Sequence, residues 1–176
     1  NAADPGDNEL RVWGRLDVLE LIGAGGFGEV YRARDPLLDR EVALKTIRLT
    51  GEEVDREKLL KSLLDEAAIS ARFHHPNIVT VYDVADRGSA GFIAMEYVDG
   101  GSLRDHLRRL QRMQRFLPMV QSLQIVAQIA DALDYAHQNG IIHRDIKPGN
   151  ILLKRLNRPD EPGEQPFRAT LTDFGL

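Results

Sequence analysis

The stretch His143-Arg144-Asp145-Ile146-Lys147-Pro148-Gly149-Asn150 decides how this chain is read. It sets a carboxylate, two cations and a carboxamide within eight residues. Ile141 and Ile142 precede it, and Ile151, Leu152 and Leu153 follow. A polar cluster between two short apolar runs is a common way to mount a loop of reactive groups on a rigid frame. Pro148 stiffens the loop and Gly149 lets it turn sharply. A charged turn between two strands would use the same residue types, so the rest of the chain has to choose.

Composition removes several classes. The chain has 176 residues, 43% apolar and 28% charged, which is an ordinary globular balance and roughly one domain's worth. Its net charge of −4 gives no overall basic field to capture nucleic-acid backbones. There are no cysteines, so disulfides, thiolate metal sites and cysteine nucleophiles are excluded. The five histidines lack metal-ligand spacing. No apolar run approaches the ~18 residues of a membrane span. The polar start lacks an initiator Met, and the chain stops after Phe174-Gly175-Leu176, so both ends read as cuts.

Working toward the N-terminus, residues 1–12 read as a flexible lead. Val18–Ile22, Glu29–Ala33, Glu41–Ile47, Ile78–Val84 and Gly91–Val98 read as five strands. Thr50 to Phe73 has helical spacing, with Leu59, Leu60, Leu63, Leu64, Ala67, Ala68 and Ala71 apolar. After Asp99-Gly100-Gly101 the composition shifts. Ser102 and Asp105 look like a helix start, and Leu103, Leu107 and Leu110 give that helix an apolar edge. A longer helix spans about Met119 to Asn139. Val120, Leu123, Ala127, Ala130, Leu133 and His137 are expected on its one face, and Asn139-Gly140 is expected to stop it. Ile151–Leu153 and Ala169–Thr172 look like paired strands around a solvent loop, Lys154 to Arg168.

Three further features carry chemistry. Gly23-Ala24-Gly25-Gly26-Phe27-Gly28 fits G-x-G-x-x-G, a pattern that cradles phosphates or simply turns. A strand, not a helix, is expected after Gly28, so the loop reads as a hairpin flap over phosphates. A dinucleotide-binding oxidoreductase would need a helix there. Lys45 ends the apolar run Val42-Ala43-Leu44, where a buried lysine needs an anion or a way out to water. Glu66, on the helix that follows, is placed to pair with it, though a solvated helix glutamate is the plainer reading. Asp173-Phe174-Gly175 suits a metal-binding carboxylate at a hinge.

In this order the five motifs resemble the signature set of eukaryotic-type serine/threonine protein kinases, the bacterial members above all. The resemblance covers about residues 13–176. It implies an α+β protein kinase-like fold: a five-stranded antiparallel N-lobe with one helix over 13–98, then a truncated, mainly helical C-lobe over 99–176. It implies ATP and magnesium as cofactors and a protein with Ser or Thr as substrate. Ile22 to Val30 (Ile22, Gly23, Ala24, Gly25, Gly26, Phe27, Gly28, Glu29 and Val30) would cover the ATP phosphates. Ala43, Val30 and Leu152 would sandwich the adenine, with Met95 behind it. Glu96 to Val98 would bond its edge, with Asp99 near the ribose. Lys45 would hold the α- and β-phosphates and be fixed by Glu66. Asp145 would orient the substrate hydroxyl and accept its proton, and Lys147 would steady the γ-phosphate. Asn150 and Asp173 would hold the magnesium ions. His143 and Phe174 would pack in an internal spine.

The sequence departs from the family pattern in places. Ser70, four residues after Glu66, replaces a larger apolar spine residue. The 154–168 loop is longer than the usual hairpin. Arg104, Arg108, Arg109, Arg112 and Arg115 form a basic run that is either a solvated face or a dock for an acidic partner. The family's activation segment and later helices would follow Leu176, so 1–176 alone is expected to be inactive. A cytoplasmic site, with a membrane span downstream in some relatives, fits the resemblance. The function expected of the intact protein is ATP-dependent phosphorylation of Ser or Thr. The competing reading is a nucleotide-binding pseudokinase or scaffold.

Overall fold

Alternation of apolar side chains along successive strands builds the first of two units in the computed structural model. The structure describes residues 12–13, 15–25, 28–48, 74–86, 90–156 and 167–174. They divide between a unit of residues 1–67 with 81–97 and a unit of 68–80 with 98–176.

The first unit is an antiparallel sheet. Its strands are β1 (Val12–Trp13), β2 (Leu16–Gly25), β3 (Gly28–Asp35), β4 (Arg40–Arg48), β5 (Val81–Asp86) and β6 (Ala90–Glu96), in the order β1-β2-β3-β4-β6-β5. The five expected strands are present, and β1 adds a two-residue edge beyond them, across the end of the expected lead. β4 is central and buried from Val42 to Thr46, as a strand flanked on both sides should be. Leu16, Ala33, Val42, Leu44, Phe92 and Ala94 form the core of one sheet face. Each large side chain so buried contributes about 1.5–3 kcal/mol.

The β3–β4 turn is built around Asp35, which is 1% exposed. Its carboxylate accepts bonds from the Leu37 and Leu38 amides and from the Arg15 guanidinium. Burial pushes its carboxyl up, but these donors win and hold it below the ordinary value of 3.8. Asp39 completes the turn at φ +46, a left-handed position that Asp tolerates better than most residues.

The second unit holds α1 (Leu103–Arg112), α2 (Met119–Gln138), a 3-10 turn (Pro148–Asn150) and the pair β7 (Ile151–Arg155) and β8 (Phe167–Leu171). Ser102 starts α1 by accepting the Asp105 amide at 3.1 Å. Gly140, at φ +76, ends α2 with bonds from Gly140 N to His137 O and from Ile141 N to Ala136 O. The core gathers Ile78, Leu103, Ile125, Ile129, Ala132, Ala136, Ile151, Leu153, Ala169, Leu171 and Phe174.

Three expectations are corrected. The face α2 buries is Ile125, Ile129, Ala132 and Ala136; Val120 and Leu123 are exposed, and only Leu133 of the expected set packs on the core. Apolar residues occupy several sides of this helix, so periodicity alone could not single out the buried one. The strand expected from Ile78 begins at Val81. Ile78 instead bridges Leu171 in the second unit, where Val79 N donates to Leu171 O and Leu171 N to Asn77 O. The strand expected to reach Val98 ends at Glu96. The expected helix Thr50–Phe73, with Glu66 and Ser70, lies outside the described residues, as do Gly26, Phe27, Gly175 and most of the 154–168 loop.

Candidate active site

The first unit carries the expected residues of β2, β3, β4 and β6. β2 and β3 form a hairpin in which Gly25 pairs with Gly28 and Gly23 with Val30. A strand therefore follows Gly28, which removes the dinucleotide-binding alternative. Partners across an antiparallel ladder share a face. Val30, Lys45 and Ile93 are such partners, and so are Arg32, Ala43 and Met95. Strand alternation puts both sets on the same side of the sheet, opposite the Leu44 core. Ala43, Lys45 and Met95 are buried, Glu29, Val30 and Glu96 are half-buried, and Ile22 and Ala24 are exposed. The Tyr31 hydroxyl donates to Glu29 at 2.9 Å. The Lys45–Glu66 pair lies outside the described residues.

Sequence reasoning missed Arg32. It bonds Glu41 and Glu20 and lies 5.4 Å from the centre of the Tyr97 ring. Glu41 first, then Glu20, raises its pKa above the ordinary arginine value. It thereby ties β2, β3 and β4 to the residue between Glu96 and Val98. Period-two alternation from Ala43 across the ladder would have placed it on this face.

The second unit carries the expected catalytic loop and Asp173. Lys147 Nζ lies 2.6 Å and Asn150 Nδ2 3.0 Å from Asp145 Oδ2, so both donors use one carboxylate oxygen. Asn150 Nδ2 also reaches the Asp145 carbonyl at 2.9 Å. The bonded Lys147 ammonium holds the Asp145 carboxyl below its ordinary value, against the upward push of burial. His143 is 1% exposed and sits beneath this loop. Its Nδ1 accepts the Asp145 amide at 3.3 Å, so Nε2 carries the hydrogen and donates to the Thr172 carbonyl at 2.9 Å. Its ring packs on Phe174 at 4.6 Å.

Thr172 N in turn donates to Asn150 O at 3.0 Å. Asn150 and Asp173 are thus brought to one place, though 23 residues apart in sequence. Arg144 and Asp173 both take left-handed backbone, φ +66 and +61. Such positions cost roughly 1–3 kcal/mol in non-glycine residues and concentrate at functional sites. Asn150 is 6% exposed and spends its Nδ2 on Asp145, which leaves Oδ1 as its donor to a cation. An amide oxygen and a carboxylate are hard donors of the kind magnesium takes when phosphates and water complete its shell. The residues fit that ion, and among the described residues no cluster of three or more His, Asp or Glu offers a competing site.

Leu152 is half-buried on β7 and bridges Ser102, and Val98 is buried. Asp99, expected near a ribose, accepts the Arg155 amide at 3.1 Å through Oδ1. A second feature the sequence did not reveal is Gln128. Its Oε1 accepts both Asn77 Nδ2 and Ala169 N at 2.9 Å, holding residues 75–79 and β8 to α2.

Comparison with known proteins follows the same line. Residues 16–176 match the family model for the protein kinase domain. The chain is 36% identical to serine/threonine-protein kinase PrkC of Bacillus subtilis, over 94% of this chain and 23% of that protein. It is 40% identical to PknJ of Mycobacterium tuberculosis, over 94% of this chain and 26% of that protein. It is 40% identical to PknB of Mycobacterium leprae, over 81% of this chain and 23% of that protein. The chain spans about a quarter of the length of these relatives.

Proposed function

Because the chain belongs to the protein kinase family, we propose that the protein carrying it transfers the γ-phosphoryl group of ATP to serine or threonine hydroxyls of proteins. The observation that carries this reading is the Asp145 carboxylate, with Lys147 and Asn150 both on Oδ2. Oδ1 is then the oxygen that meets the substrate hydroxyl. Held below its ordinary pKa, Asp145 is charged at neutral pH and a weak base in the ground state. Its work is to orient the hydroxyl, and it takes the proton late, as the new P–O bond forms and the bond to ADP breaks.

Lys147, half exposed beside it, is placed to steady the transferring phosphoryl group. Lys45 meets the α- and β-phosphates, with Glu66 as its partner. The Ile22–Val30 hairpin covers the phosphates through its backbone, and Ala43, Val30, Leu152 and Met95 enclose the adenine. Glu96 and Val98 supply backbone bonds to its edge. Asn150 and Asp173 would hold magnesium, which when bound neutralises phosphate charge.

Domain limits of 13–98 and 99–176 go with this reading. So does a cytoplasmic location, where ATP is supplied. Among the described residues no helix is long and apolar enough to cross a membrane.

The test is Asp145→Asn in the intact protein. Transfer to Ser or Thr should fall by about 10²–10⁴, the usual contribution of a positioned acid–base group. Nucleotide affinity should stay near that of the unaltered protein. Unchanged transfer rejects the assignment of Asp145.

A further inference from the structure

The exposed face of α1 carries a line of arginines that, among the described residues, only Asp105 answers. Arg104, Arg108 and Arg112 recur every four residues, so they share one side of the helix. All three are exposed, while Leu103 and Leu110 are buried and His106 packs edge-on to Phe167 at 5.2 Å. Asp105 is the helix's one acidic residue. It lies 4.0 Å from Arg104, at the outer limit of an ion pair, and its other oxygen is taken by Ser102. Among the described residues neither Arg108 nor Arg112 has an ion-pair partner. Like charges at this spacing weaken a helix, and a cation in its first turn opposes the helix dipole. Arg104 therefore works against the start of α1, whereas Arg112 sits in the last turn, where the dipole favours a cation.

The head of the line meets the catalytic loop. The Arg104 guanidinium lies 3.5 Å from the point where a side chain on Gly149 would begin. That is ordinary van der Waals distance, so the guanidinium lies directly against the loop at Gly149. The next residue is Asn150, whose amide bonds Asp145 at 3.0 Å. Arg104 nevertheless keeps 55% of its side chain exposed.

We propose that Arg104 reads a carboxylate side chain close to the phosphorylated serine or threonine of the protein substrate, with Arg108 and Arg112 extending the preference along α1. This rests on the kinase reading above. A hydroxyl held at Asp145 carries its neighbours past Gly149, since an extended chain advances about 3.3 Å per residue. A carboxylate within a few residues of that hydroxyl comes within reach of the guanidinium, whose planar fork matches its two oxygens. A lysine in the same place meets like charge.

The experiment uses the full-length protein, ATP and peptides with one serine, in which Glu, Ala or Lys is walked through three positions on each side. At one position or more, Glu should raise kcat/KM over Ala by about two- to fivefold, the size of an exposed charge pair. Lys should lower it, and the gap should close as salt is raised and the Debye length shrinks. Arg104→Gln should flatten the series, and Arg104→Glu should invert it, an outcome no folding defect produces. A charge preference that survives R104E, or transfer with no charge preference at all, overturns the proposal and leaves the kinase reading standing. An R104E effect confined to the KM for ATP overturns it too. Transfer to no peptide removes both readings.

Discussion

Gly100→Ala adds one methyl group at the most crowded glycine among the described residues. The new Cβ would stand 1.8 Å from the Leu153 carbonyl oxygen and 2.9 Å from its carbon. Real Cβ contacts essentially never fall below 3.0 Å, so about 1.2 Å of separation has to be found. Nothing flexible is available to yield, because the obstacle is the backbone of β7. Leu153 is fully buried in the core, and its amide donates to Gly101 O at 2.9 Å.

Overpacking of this kind costs about 1–3 kcal/mol. Loss of the Leu153–Gly101 bond adds about 0.5–1.5 kcal/mol. A mid-range total of about 3 kcal/mol raises the local opening equilibrium about a hundredfold, at roughly 1.4 kcal/mol per factor of ten. Amide hydrogen exchange at residues 151–155 of the full-length protein reads this directly. The Leu153 amide should exchange about a hundred times faster in G100A. Gly101→Ala is the comparison. Its Cβ meets nothing within 4 Å, and only the left-handed backbone at φ +73 is strained, a cost of about 1–2 kcal/mol. Activity should follow, since β7 continues directly from Asn150 and a displacement near 1 Å at a reacting group costs about 10²-fold. Exchange at Leu153 within threefold of the unaltered protein would refute the reasoning.

His143→Leu keeps most of the volume but leaves the Asp145 amide and the Thr172 carbonyl unbonded, at about 1–3 kcal/mol each. The melting midpoint should drop by about 5 °C or more, and an unchanged midpoint would contradict the double role of the ring. Asp35→Asn tests the acid limb. The folded pKa of Asp35 lies below 3.8, so its stabilisation is complete above that value and is lost as pH falls through the lower, folded one. Urea midpoints of wild type and D35N should therefore differ by a constant amount from pH 7 to about 5 and converge below 3.8. A gap that ignores pH would show that the charge is not what holds the turn.

Much of this was legible in the sequence because its signals are local. Period-two alternation and turn residues marked the strands, and the Ser102 cap and the Asn139-Gly140 stop bounded α1 and α2. The loop 143–150 could be read because its groups answer one another within a few residues. What escaped depends on partners distant in sequence. The buried side of α2 is chosen by Ile151, Leu153 and Leu171, not by the helix's own pattern. Gln128 looks like any polar helix residue until Asn77 and Ala169 converge on it. Arg32 reads as a surface charge until Glu20, Glu41 and Tyr97 gather around it.

The pairing of Val79 with Leu171 also bears on how the chain is made. Asn77 and Val79 come before β5, yet the backbone partner of the Asn77 carbonyl and the Val79 amide is Leu171. Leu171 leaves the ribosome 92 residues after Val79. At about 5–20 residues per second, that is a wait of about 5–20 s. Throughout it the Asn77 carbonyl and the Val79 amide lack their native backbone partner, although β6, the last strand of the first sheet, is complete at Glu96. Ile78 and Val79, 2% and 3% exposed in the finished fold, are apolar and lack the cover of β8 for the same interval. A nascent chain halted between residues 97 and 171 would therefore offer this segment to chaperones, and release from them should coincide with the emergence of β8.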